Sequence, residues 1–85
     1  MFQVFISEEA GSFVRSLPEA QRTKMKDIFR ALQFYPKTNH LRMKKLTGQD
    51  VFRIRVGNFR ILCEIDGRLR RIDINDIDDR KDAYR

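Results

Sequence analysis

Three arginines in the middle of the chain are candidates for chemistry on a phosphate group. Arg53, Arg55 and Arg60 lie in two alternating segments on either side of Gly57 and Asn58, a pair of residues typical of a two-residue hairpin turn. With that turn, Arg55 is directly opposite Arg60, and all three arginines share one side of the hairpin. Like charges in directly opposite positions destabilise a sheet, which indicates that an anion, a partner or a counter-charge lies near this surface.

The apolar residues of the same two segments fall on the other side of the hairpin. We expect that side to pack against helices, because strands with one buried face alternate apolar and polar residues. The predicted buried side consists of Phe52, Ile54, Val56, Phe59, Ile61 and Cys63.

A second predicted hairpin adds one more arginine to the charged side. With Asp66 and Gly67 as its two-residue turn, Asp73 lies opposite Arg60, and Arg71 joins the arginine face. The planar guanidinium group matches phosphate geometry better than a lysine ammonium does. We therefore interpret the face as a phosphate-binding surface rather than as a solvated surface with a single Arg60–Asp73 ion pair.

The residue types leave one chemical route to RNA cleavage. The chain has one histidine, His40, and one cysteine, Cys63, so it offers no histidine pair, no metal-ligand spacing and no cofactor motif. We expect His40 in a loop and Cys63 in the core. The 2′-hydroxyl of the substrate could attack the adjacent phosphate while arginines stabilise the developing charge, although arginine itself is a poor base.

Length and charge limit the class of protein. Residues 1–85 are enough for a single domain. No apolar run approaches the ~20 residues of a membrane helix, so we expect a cytoplasmic protein with no membrane contact. The net charge is +6, which favours polyanionic partners such as nucleic acid, the ribosome or an acidic protein segment.

The apolar pattern predicts an α+β fold in the order β-α-α-β-β-β. A first strand is followed by two amphipathic helices, the first capped by Ser7 and the second running between Pro18 and Pro36. A polar, basic connection leads to three strands of an antiparallel meander with the helical hairpin on one face, and residues 76–85 are expected outside the core. The first predicted strand is Phe2–Ile6 and the connection is Lys37–Asp50. The three strands of the meander are Val51–Val56, Phe59–Ile65 and Arg68–Asn75.

The run FRIRVGNFRI, Phe52 to Ile61, resembles the central strand pair of RelE-type toxins in the RelE/ParE family, archaeal members in particular. The Lys45-Leu46-Thr47-Gly48 segment and the spacing from Arg80 to Tyr84 agree with this resemblance, which covers the chain in element order. It implies a ribosome-dependent mRNA endonuclease. It also implies a cognate antitoxin that inhibits the toxin, with an amphipathic helix along the helical hairpin.

The resemblance also implies roles for individual residues. Arg53, Arg55 and Arg60 match the family's basic catalytic positions, and Arg80 and Tyr84 match its C-terminal basic residue and tyrosine. Many relatives have a histidine before the residue that matches Arg80, whereas this chain has an aspartate. The residues expected to bind RNA without catalysing cleavage are Lys44, Lys45 and Arg71.

Two alternatives share this architecture. A ParE-like protein would inhibit DNA gyrase through protein contacts, and such members generally lack a full basic set on the sheet. An inactive member of the same fold would use the basic face only to hold an acidic antitoxin segment.

Overall fold

The computed structural model describes residues 1–46, 48 and 50–79. Two helices pack on one face of a five-stranded mixed sheet with strand order β1-β5-β4-β3-β2. The α+β class and the position of the helical hairpin agree with the sequence prediction. The elements are β1 (Gln3–Ile6), α1 (Glu8–Arg15), α2 (Glu19–Leu32), β2 (Arg42–Lys45), β3 (Val51–Val56), β4 (Phe59–Asp66) and β5 (Arg71–Asp79).

The first helix begins where the sequence predicts, and the second begins one residue later than predicted. The Ser7 hydroxyl accepts a hydrogen bond of 3.1 Å from the Ala10 N–H, which satisfies one of the unpaired donors of the first turn of α1. Pro18 occupies the N-cap position of α2. The buried residues of α2 are Met25, Ile28, Phe29 and Leu32, and their spacing is that of an amphipathic helix.

The hairpin between β3 and β4 has the predicted register. Val56 pairs with Phe59 across Gly57 and Asn58, and Gly57 has a φ of 58°, a conformation that glycine adopts at little cost. Ile54, Ile61 and Cys63 are buried, while the two phenylalanines of the predicted buried side pack at its margin. The alternation of apolar residues therefore identifies the helix-facing side correctly.

The prediction that residues 37–50 form only a connection was wrong, because β2 lies within them. β2 pairs antiparallel with β3, with Arg42 opposite Arg55 and Lys44 opposite Arg53. Three of its four residues are basic, and only Met43 is half-buried. An edge strand this short and this polar carries no period-two apolar signal, so the pattern did not distinguish it from a loop.

The predicted turn between the last two strands was also wrong. Four residues, 67–70, connect β4 and β5, and Asp66 lies opposite Arg71. The Asp66 carboxylate accepts hydrogen bonds of 3.0 Å from the backbone N–H groups of Arg68 and Leu69, and Arg70 adopts a φ of 52°. This longer loop shifts the register of β5, so Asp73 lies opposite Glu64 and not opposite Arg60.

The last strand is longer than predicted and has an irregularity. The register shifts between Leu62 and Cys63, and the strand continues to Asp79. The shift resets which residues face the helices, so Ile77 is only 4% exposed and lies opposite Ile61. The expectation that residues from 76 onward lie outside the core was therefore wrong for 76–79, and residues 80–85 lie outside the described part of the chain.

The first strand makes the sheet mixed, whereas the sequence predicted an antiparallel meander. β1 pairs parallel with β5, with Val4 opposite Ile72 and Ile6 opposite Ile74. The two helices carry the chain from β1 to the far edge of the sheet, and the meander then returns to β1 strand by strand. The order of elements along the chain does not determine that β1 pairs with β5.

Candidate functional site

The side of the sheet opposite the helices carries a cluster of basic side chains from three neighbouring strands. We call it the basic face and define it by Arg42, Lys44, Arg53, Arg55 and Arg60. These residues lie on the side opposite the buried core residues, because side chains alternate along each strand.

Two cross-strand rows organise the basic face. In the first, Arg42 lies opposite Arg55, Arg55 opposite Arg60, and Arg60 opposite Asp78. Three guanidinium-bearing residues are therefore direct neighbours on adjacent strands. The row ends at one carboxylate, so positive charge exceeds negative charge along it.

The second row lies beside the first. Lys44 is opposite Arg53, Arg53 is opposite Leu62, and Leu62 is opposite Asp76. Basic residues again occupy β2 and β3, while an acidic residue occupies β5. The charge on this side of the sheet thus changes from positive at the β2 edge to negative at β5.

Arg60 is only loosely paired with its carboxylate. Its Nη2 lies 3.9 Å from Oδ2 of Asp78, and the two side chains are 28% and 47% exposed. That separation is an ion pair but longer than a hydrogen bond. A partly exposed pair at this separation contributes little, about 0–1 kcal/mol, so a better acceptor could compete for the guanidinium.

Two guanidinium nitrogens on the basic face are buried without an acceptor. The Nε atoms of Arg53 and Arg60 have no hydrogen-bond partner among the described residues. A buried donor left unpaired costs about 1–3 kcal/mol. A phosphate that supplied acceptor oxygens to these guanidinium groups, once their side chains turned toward it, would remove part of that cost.

A shallow groove of about 480 Å³ runs over the β2 side of the basic face. Arg42, Lys44, Arg53 and Arg55 line it together with Leu41 and Met43. Sequence analysis did not assign Arg42 to the site, although it lies in the first arginine row. Its charge was visible in the sequence, but its place on the face depended on β2.

Two residues predicted to bind RNA, Lys45 and Arg71, lie away from the basic face. Lys45 is opposite Phe52 and therefore points to the helix side of the sheet, where its Nζ is 3.8 Å from Oδ1 of Asp50. Lys44 is the only one of the three residues predicted to bind RNA that lies within the basic face.

Arg71 lies near the opposite edge of the sheet and is already paired. Its Nε and Nη2 donate hydrogen bonds of 3.0 to 3.1 Å to the Asp73 carboxylate, and its guanidinium carbon lies 4.1 Å from the ring centre of Phe5. The hydrogen bonds to Asp73 raise the pKa of Arg71 above its usual value. This guanidinium is therefore occupied by groups of its own chain.

The structure thus brings together Arg53, Arg55 and Arg60 of the five residues predicted to be catalytic. Arg80 and Tyr84 lie outside the described residues. His40 is an exposed turn residue, as predicted. Burial raises the pKa of the Cys63 thiol to about 12, which keeps it protonated near neutral pH and fits the predicted core role.

Neither a metal cluster nor a membrane-spanning helix is found in the described part of the chain. No group of three or more histidine, cysteine, aspartate or glutamate side chains is arranged there to hold a metal ion. Within residues 1–46, 48 and 50–79, no helix is long and apolar enough to cross a membrane.

Several solved structures have the same fold over nearly the whole chain. A chain of the archaeal RelE–RelB complex from Pyrococcus horikoshii OT3 matches with a TM-score of 0.78 and 22% identity, covering 93% of this chain and 94% of that one. A chain of the RelB–RelE antitoxin–toxin complex from Methanococcus jannaschii matches with a TM-score of 0.76 and 28% identity, covering 94% of each.

The isolated RelE toxin of E. coli has the same fold at lower identity. It matches with a TM-score of 0.71 and 12% identity, over 93% of this chain and 84% of that one. Comparisons with protein-family models and with curated proteins gave no match. The similarity therefore lies in the fold more than in the sequence.

Proposed function

Because this chain has the fold of the RelE-type toxins, we propose that it is the toxin of a type II toxin–antitoxin pair and cleaves mRNA on the ribosome. The observation that carries the proposal is the first row of the basic face, in which Arg42, Arg55 and Arg60 are cross-strand neighbours. Guanidinium groups form strong, charge-assisted hydrogen bonds with phosphate oxygens, and three adjacent ones can bind a negatively charged phosphodiester.

In the proposed reaction, the 2′-oxygen of the RNA attacks the adjacent phosphorus and the bond to the 5′-oxygen breaks. The products are a 2′,3′-cyclic phosphate and a 5′-hydroxyl. The 2′-hydroxyl loses its proton to solvent and the 5′-oxygen gains one from solvent. The guanidinium groups of Arg53, Arg55 and Arg60 stabilise the additional negative charge on the phosphorane. Stabilising charge that develops in the transition state is usually the largest catalytic contribution of preorganised cations.

The ribosome has a defined part in this proposal. Arginines hold and stabilise a phosphate but remain protonated near neutral pH, so they do little to activate the 2′-hydroxyl. Much of the rate of cleavage must therefore come from holding the attacking 2′-oxygen in line with the scissile bond. An mRNA already ordered in the ribosomal A site supplies that alignment, and free RNA does not.

The proposed partners are an antitoxin, the ribosome and mRNA, and the proposed location is the cytoplasm. Similar folds occur in complexes with RelB antitoxins, which supports an antitoxin partner for this chain. We place its amphipathic helix along the α1–α2 hairpin, where an apolar stripe could pack. No metal or other cofactor of the toxin takes part in the proposed reaction.

The test of the function is primer extension on an mRNA that is being translated in a purified system. We expect cuts inside ribosome-bound codons, and no cuts when ribosomes are omitted. Intact mRNA together with gyrase-dependent double-strand breaks in DNA would replace the proposal with the ParE-like alternative. Intact mRNA and intact DNA would leave an inactive, antitoxin-binding protein.

The test of the partner is co-expression with the product of the neighbouring open reading frame, followed by affinity purification. We expect a stable complex in which the toxin no longer cuts mRNA. Purification of the toxin alone at the same expression level would contradict the antitoxin proposal, and it would leave the cleavage assay unaffected.

A further inference from the structure

A cleft of about 350 Å³ lies beside the basic face, where α2 meets the start of β2 and the tip of the β3–β4 hairpin. Its walls are mostly apolar. Ile28 and Ala31 project from the second half of α2, and Leu41 and Val56 approach from the sheet side. Its size falls in the range of about 300–1,000 Å³ that is usual for small-ligand sites.

The cleft is continuous with the groove over the basic face. Leu41, Arg42 and Arg55 line both. Val56 faces the helices while Arg55 faces the opposite side, and both border the cleft, which therefore passes around the end of the sheet. Two guanidinium-bearing residues stand at the junction between an apolar cavity and a cationic groove.

This combination matches the two parts of a nucleotide. A nucleobase is flat and largely apolar on its faces, and proteins hold unpaired bases against apolar or aromatic side chains. The phosphate attached to it requires cations, and the arginine fork pairs well with phosphate oxygens. Asp27 and His40 are also among the residues that line the cleft, and both carry groups that can hydrogen-bond with the edge of a base.

We infer that this cleft binds the base of an RNA nucleotide whose phosphate lies on Arg42 and Arg55. The inference deepens the proposed function and rests on it for the identity of the polymer. The bound nucleotide lies next to the phosphate that is cut, so the cleft contributes to the sequence preference of cleavage. Ile28 and Ala31 are positioning residues, since they hold the base and do not touch the reacting atoms.

The direct test measures binding and does not depend on catalysis. Methyl resonances of Ile28 and Ala31 are followed by NMR while adenosine, cytidine, guanosine or uridine monophosphate is added to the protein at low salt. Ribose 5-phosphate, which has the sugar and the phosphate but no base, is the matched ligand control. We expect at least one nucleotide to shift both methyl signals, and ribose 5-phosphate to leave them unchanged.

A pair of variants tests the same point by sterics. Ala31→Leu fills the cleft, whereas Ala20→Leu makes the same change at an exposed position of α2 that is outside the cleft. We expect Ala31→Leu to weaken nucleotide binding about tenfold, the loss typical when a base loses its packing contact, and Ala20→Leu to leave it unchanged. The wild-type NMR result stands even if Ala31→Leu proves unstable in thermal unfolding.

The outcomes separate this inference from the function. Nucleotide-dependent shifts without any mRNA cleavage would support the cleft and contradict the nuclease. Cleavage with no shift at Ile28 or Ala31 for any nucleotide would overturn the cleft and leave the nuclease. Shifts that appear only with a co-purified partner protein, and never with nucleotides, would make the cleft a protein-docking groove and also overturn the inference.

Discussion

Arg60 and Asp78 face each other across β4 and β5, with Nη2 of the arginine 3.9 Å from Oδ2 of the aspartate. This pair terminates a row of arginines that begins at Arg42. The carboxylate partly neutralises the arginine nearest to it and leaves the β2 end of the row more positive. Phosphate binding at Arg60 therefore competes with a weak internal ion pair.

Replacing Arg60 by alanine should abolish most of the activity without unfolding the protein. Its side chain is 28% exposed, and among the described residues it makes only a long ion pair, so the fold depends little on it. Removing one preorganised charge-stabilising group typically lowers the rate about 10²–10³-fold, and we expect a loss of that size in ribosome-dependent cleavage. Arg68→Ala, which removes the same charge from an exposed turn, is the control and should cleave normally. Equal activity of the two variants would exclude Arg60 from the site.

Replacing Asp78 by asparagine should strengthen RNA binding. The change removes the carboxylate that competes for Arg60 and nearly preserves the size of the side chain. We expect severalfold tighter binding of single-stranded RNA at low salt, and a smaller gain at about 1 M salt, where the Debye length is about 3 Å. Glu9→Gln, at an exposed site on α1, removes one negative charge elsewhere and tests whether net charge alone explains a gain.

The salt dependence of RNA binding should distinguish arginines that contact phosphate from those that do not. Each phosphate contact on a single strand contributes a slope of about −0.7 to the plot of log affinity against log salt. Arg53→Ala should therefore reduce the slope by about 0.7. Arg71→Ala should leave the slope unchanged, because Asp73 already holds that guanidinium. Fluorescence anisotropy at several salt concentrations measures both, and a reduced slope for Arg71→Ala would place it at the RNA.

The parts of the fold that the sequence predicted are those with a strong local signal. The Ser7 cap, the amphipathic pattern of α2 and the hairpin at Gly57 and Asn58 each depend on nearby residues, and all three are confirmed. The resemblance to RelE-type toxins is confirmed at the level of the fold. β2 was missed because its four residues include only one apolar side chain, and its pairing with β3 is a long-range property.

The centre of the site was predicted because it depends on local register, and its margins were missed because they depend on long-range strand pairing. Arg55 and Arg60 meet across one tight turn, so their proximity followed from local register. The partner of Arg60 did not, because the four-residue loop after Asp66 and the register shift near Cys63 place Asp78 opposite it instead of Asp73. The inclusion of Arg42, and the exclusion of Arg71, required the complete sheet.

The thiol of Cys63 should be unreactive in the folded protein. Cys63 is fully buried, and burial raises the pKa of its thiol to about 12, so roughly one thiol in ten thousand is ionised at pH 8. The thiolate is the reactive form. Because the folded-state pKa lies above the unfolded value, this group contributes a stability that is complete below about pH 9 and declines as the pH rises toward 12. Ellman's reagent should therefore label Cys63 only after unfolding in guanidinium chloride, and rapid labelling of the native protein would show that this part of the core opens.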